Sequence, residues 1–61
     1  MKLKQLIERT SCIYNFVIYD GYTIVFSGRS IDIPQELTHR SVTFFEIIIN
    51  KSKFYIEVNL A

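Results

Sequence analysis

The stretch CIYNFVIYDGYTIVFS, residues 12–27, decides the fold. Its first half, Cys12 to Tyr19, is β-branched and aromatic with no breaker, which favours an extended strand. Asp20-Gly21 interrupts it, and Asp-Gly suits a type I′ turn because that turn needs positive φ at both central residues. Tyr22 to Ser27 returns as a second strand. A two-residue turn at Asp20-Gly21 predicts Tyr19 opposite Tyr22, Val17 opposite Ile24 and Asn15 opposite Phe26 on one face. The other face then carries Ile18 with Thr23, Phe16 with Val25, and Tyr14 with Ser27.

Upstream, Leu3, Leu6 and Ile7 recur at helical spacing, so Met1 to Thr10 reads as a short amphipathic helix. Such a helix is unstable alone, and its apolar stripe must pack on something. Downstream, Gly28 to Ile33 is a connection. Pro34 is expected at the first position of a short helix, where a missing N–H costs nothing. Ile33 before it stays extended, the helix ends near His39 or Arg40, and Ile31, Ile33 and Leu37 are the expected anchors. Val42 to Ile49 and Phe54 to Leu60 then form a second hairpin. A two- or four-residue loop gives Ile49 facing Phe54, Ile47 facing Ile56 and Phe45 facing Val58, a uniformly apolar set expected to be the core face. The opposite face pairs Ile48 with Tyr55, Glu46 with Glu57, and Phe44 with Asn59. The expected fold class is α+β: a four-stranded antiparallel sheet of two hairpins with a short N-terminal helix and a short helix between the hairpins. Residues 1–61 make a single domain.

Composition bounds the function. The chain has 61 residues, 49% of them hydrophobic, with five Phe, four Tyr and a net charge of +1. A domain this small buries only about 60% of its unfolded surface and is marginal without help. Cys12 is the sole cysteine and His39 the sole histidine. An intramolecular disulfide and a Cys/His zinc cluster within one chain are therefore excluded. The small net charge recommends neither nucleic acid nor a membrane surface. No apolar run reaches the roughly 18 residues of a membrane span, and the charged start does not read as a secretory signal. A lone unpaired cysteine suits a reducing interior, so a cytoplasmic location is expected.

No catalytic constellation emerges, and neither an enzyme nor a cofactor is expected. Glu46 and Glu57 are the one acidic pair that the hairpin register brings together. Coupled carboxylates can act as an acid/base pair or hold a hard metal, but two are too few for a hard-metal cage. They read as a solvated charged pair, eased by Lys51, Lys53 or a partner chain's cation. Cys12 and His39 lack a third orienting group, and the serines and two glycines fit no hydrolase or phosphate-binding motif. The informative feature is the face away from the expected core, with Tyr14, Phe16, Ile18, Val25, Phe44, Ile48 and Tyr55. A solvated sheet face should alternate to polar residues, and an apolar patch of this kind marks an interaction surface. A homo-oligomer is the expected occupant. The alternative is a small nucleic-acid-binding module that stacks bases on Tyr14, Phe16, Phe44 and Tyr55 near Arg29 and Lys53. Glu46 and Glu57 on that face oppose it by repelling phosphate.

Several local motifs also carry a resemblance. They are Val17-Ile18-Tyr19-Asp20, Phe26-Ser27-Gly28, Asp32-Ile33-Pro34-Gln35-Glu36-Leu37, Val42, and Tyr55-Ile56-Glu57-Val58. Together they resemble small proteins encoded by phages and prophages of low-GC Gram-positive bacteria. This chain departs from that pattern in a very short first turn and an unusually apolar third strand. The resemblance implies an accessory protein that binds a host or defence protein, as anti-defence inhibitors do. It carries over no catalytic residue.

Overall fold

A computed structural model describes residues 1–10 and 14–61. Helix α1 spans Leu3–Arg9, and the Gln5 side chain accepts the Lys2 N–H at 2.8 Å to hold its first turn. Strands β1 (Asn15–Asp20) and β2 (Thr23–Arg29) follow, then a 3-10 turn at Ser30–Asp32 and helix α2 (Gln35–Thr38). Strands β3 (Val42–Asn50) and β4 (Lys53–Leu60) complete the chain. Pro34 stands just outside α2 as its N-cap, and His39 closes it. Ile33 and Leu37 anchor this connection to the core as expected. Ile31 does not, being 76% exposed.

The strand order is β2-β1-β4-β3. Both sequence-local pairs are antiparallel hairpins, but β1 and β4 lie parallel at the centre of the sheet. The sheet is therefore mixed, which corrects the expectation of a purely antiparallel one. The cause is the route of the connection. A tight turn after β2 would send β3 back antiparallel to it. Here the chain climbs the helix side through the 3-10 turn and α2, and enters β3 beside the far end of β1. Arg40, at the end of that climb, ion-pairs with Asp20 at 3.1 Å and donates from Nη2 to the Ala61 carbonyl at 2.8 Å. The start of β3 thus lies beside the ends of β1 and β4, and a hairpin from there makes β4 run with β1.

The first hairpin turns one residue later than expected. Asp20 pairs with Thr23, Tyr19 with Ile24, and Ile18 with Phe26. The central residues are Gly21 and Tyr22, and of the two only Gly21, at 66°, has positive φ. That is the pattern of a type II′ turn, which wants glycine first. A bulge between Ile18 and Tyr19 leaves Val25 unpaired in β2. From Phe44 to Asn50 the second hairpin keeps the expected register, with Ile49 against Phe54, Ile47 against Ile56, Phe45 against Val58, Glu46 against Glu57, and Phe44 against Asn59, and a bulge at Thr43 then shifts Val42 onto Leu60.

The core lies between the sheet and α1. Leu3, Leu6, Phe16, Ile18, Ile56, Val58 and Leu60 are buried, with Ile7, Phe26, Ile33, Leu37 and Val42 packed around them. Phe16 sits opposite Ile56 and Ile18 opposite Val58 across the parallel pair, so these four point to the same side. Each buried side chain of this size stabilises by about 1.5–3 kcal/mol relative to exposure. α1 covers β1 and β4 but leaves the outer part of β3 open. Phe45, Ile47 and Ile49 lie on the core side by register, yet are 40%, 60% and 78% exposed. The expected core face of the second hairpin is therefore half covered.

Candidate interaction edge

β3 stands at one edge of the sheet, and its sequence VTFFEIIIN puts apolar side chains on both faces. The alternation of an antiparallel ladder decides where its backbone points. Counted back from the two-residue turn at Lys51-Ser52, Asn50, Ile48, Glu46 and Phe44 exchange bonds with β4. Phe45, Ile47 and Ile49 then turn their N–H and C=O outward. The bulge at Thr43 resets the phase, so Val42 also points outward, and its N–H indeed donates to the Met1 carbonyl at 2.7 Å. Leu3 N–H to Arg40 C=O, at 2.9 Å, and a bridge between Lys2 and Ser41 complete this cover. The N-terminal residues thus cap the start of β3, and among the described residues no strand neighbours Phe44–Asn50 on its outer side.

Beside this edge, on the helix side, lies an apolar groove of about 300 Å³. Among the described residues it is lined by Thr10, Tyr14, Ile47, Ile49, Phe54 and Ile56. Tyr14 and Phe54 meet edge to face with ring centroids 4.9 Å apart, which forms one wall. The other sheet edge, β2, is interrupted by the Val25 bulge, a device that blunts strand pairing.

The structure divides the residues of the sequence-predicted interaction face. Phe16 and Ile18 are fully buried beneath α1, which corrects their placement on an uncovered face. Tyr14 lies on that helix side too, in the groove wall. Phe44, Ile48 and Tyr55 are on the opposite face as expected: Phe44 is exposed, and Ile48 and Tyr55 are half-buried. Val25 occupies the bulge and is exposed. One physical reason covers the burial of Phe16 and Ile18. β1 is apolar on both sides, and only its parallel pairing with β4 chooses which side meets the helix. Pattern alone places Ile47, Ile49 and Phe54 in the core. Their exposure was not legible, because a hydrophobic pattern gives a face but not how far a short helix covers it.

Glu46 and Glu57 do stand directly opposite one another, Glu46 exposed and Glu57 half-buried. Among the described residues no group of three or more His, Cys, Asp or Glu gathers as a metal site would need. His39 is exposed at the end of α2, and Cys12 lies outside the described residues. No described helix is long and apolar enough to cross a membrane. No protein-family model matches the chain, and neither a curated protein nor a solved structure does.

Proposed function

We propose that this chain is a protein-binding module that takes an extended segment onto the free β3 edge. The observation that carries this reading is the juxtaposition of a strand edge at Phe44–Asn50, uncapped among the described residues, with the exposed side chains of Phe45, Ile47 and Ile49. Strand addition draws affinity from main-chain hydrogen bonds and specificity from pockets for alternate side chains. The outward N–H and C=O groups supply the first, and the groove beside Tyr14 and Phe54 supplies the second. The phage-type resemblance puts forward a bacterial host or defence protein as a partner and a cytoplasmic site of action. The chain is proposed to act by occupying its partner, without chemistry of its own. Nucleic-acid stacking is less well supported: burial of Phe16 removes one aromatic from the stacking set, and Glu46 lies on the same face as Phe44 and Tyr55.

The test compares capture from bacterial lysate by the wild type and by Ile47→Pro. Proline at this outward position removes an edge N–H without costing a β3–β4 ladder bond. The expected result is a partner held by the wild type and lost with Ile47→Pro. Equal capture by both, or a gel shift with single-stranded DNA or RNA that Ile47→Pro does not alter, overturns the edge reading.

A further inference from the structure

We infer that the β3 edge receives β3 of a second copy of this chain, antiparallel, about a two-fold axis at Ile48. This rests on the edge reading above and names the occupant the edge takes in the chain on its own, one that a host segment must displace. A two-fold axis perpendicular to the sheet keeps the faces of both copies aligned, so even-numbered residues of β3 meet even-numbered ones, and odd meet odd.

Charge selects the register. The free stretch carries one charged side chain, Glu46, and the hairpin turn and β4 start carry Lys51 and Lys53. An axis at Glu46 opposes the two glutamates directly. An axis at Ile47 leaves them diagonal neighbours, about 7–8 Å apart. An axis at Ile48 places Glu46 opposite Asn50 of the second copy. Lys53 pairs with Asn50 within each chain, so the second copy's Lys53 lies next along the same face. Each Glu46, already set against Glu57, thereby gains a cation and avoids its own image. Glu46 lies at the middle of β3 and both lysines lie beyond its C-terminal end, in the turn and at the start of β4, so an antiparallel copy brings the lysine end of one chain toward the glutamate of the other.

The same register satisfies the apolar side chains. Ile47 meets the second copy's Ile49 on the helix side, twice by symmetry, and these are the two most exposed of the three apolar side chains there. Ile48 meets its own image on the opposite face. Ile47 and Ile49 both point their backbone outward, so their N–H and C=O groups exchange bonds across the axis. The two grooves then abut, and the sheets join into one of eight strands with β2 at both outer edges. The interface is isologous, as two-fold dimers require.

Sedimentation equilibrium at micromolar concentration is expected to give a dimer for the wild type and a folded monomer for Ile47→Pro. Register is read by oxidation in a Cys12→Ser background. Ile48→Cys is expected to cross-link to itself, because opposed non-bonded positions lie about 4.5 Å apart, within disulfide reach. Glu46→Cys and Asn50→Cys are expected to cross-link when mixed and not alone. A monomeric wild type, or Ile48→Cys cross-linking no faster than Thr23→Cys on β2, overturns the dimer. A peptide of residues 44–53 then separates the two readings. If it shifts the backbone amide resonances of Phe45, Ile47 and Ile49 in a monomeric chain, the edge reading stands and the dimer falls. If the chain is monomeric and those resonances do not move, the dimer falls, and the edge reading is decided by the lysate comparison of wild type with Ile47→Pro.

Discussion

Ile47 and Ile56 are cross-strand partners on the same side of the sheet, yet Ile56 is 2% exposed and Ile47 60%. Chemically identical side chains in register should therefore respond very differently to charge. Ile56→Asp buries an unpaired carboxylate among Phe16, Leu3 and Val58, and is expected to cost more than about 4 kcal/mol and unfold the domain. Ile47→Asp is expected to cost the monomer about 1 kcal/mol or less, mostly lost strand preference. Urea melts of both variants, followed by circular dichroism, decide this. A natively stable Ile56→Asp would show that the core has been misplaced. Glu46→Gln removes repulsion with Glu57 and is expected to leave monomer stability unchanged or raised by up to roughly 0.5 kcal/mol.

The elements depend on one another for their existence. α1 has seven residues, too few for a helix to persist in water. It stands because Leu3 and Leu6 insert against β1 and β4. Leu6→Ala is expected to cost about 2–5 kcal/mol and to lose helical ellipticity along with the core. The β1–β2 turn depends instead on backbone conformation. Gly21 holds φ at 66° with open space around it, so an added methyl meets no neighbour and the whole penalty is conformational. Gly21→Ala is expected to destabilise by roughly 1–2 kcal/mol. The adjacent Tyr22, fully exposed, is expected to tolerate alanine. Equal melting of the two variants would contradict the turn assignment.

Across the whole molecule, a small core and the open β3 edge make stability a matter of concentration. Binding that favours the folded state raises its apparent stability by mass action. The melting temperature is expected to rise with protein concentration in the wild type and to be independent of it in Ile47→Pro. Arg40 contributes separately, by tying the end of the connection to Asp20 and Ala61. Both side chains of this pair are partly exposed, so Arg40→Ala is expected to cost only about 0.2–1 kcal/mol, with the difference shrinking at high salt.

The sequence by itself determined much of the local structure, although the first turn closes on Gly21-Tyr22 and not on Asp20-Gly21. The apolar spacing of Leu3, Leu6 and Ile7 specified a helix, and the parity of Phe44 to Asn59 specified the register of the second hairpin. These depend on neighbours in the chain, whose preferences are set by sterics and period. Three matters were decided only by the tertiary structure. The first is the parallel contact of β1 with β4, which follows from the route of residues 30–41 and leaves no local signature. The second is which side of β1 faces the helix, since Phe16 and Ile18 compete with Val17 and Tyr19 on nearly equal hydrophobic terms. The third is the exposure of Ile47 and Ile49, the heart of the candidate site. Their pattern is that of core residues, and they lie open because a seven-residue helix spans the two central strands but does not reach the edge.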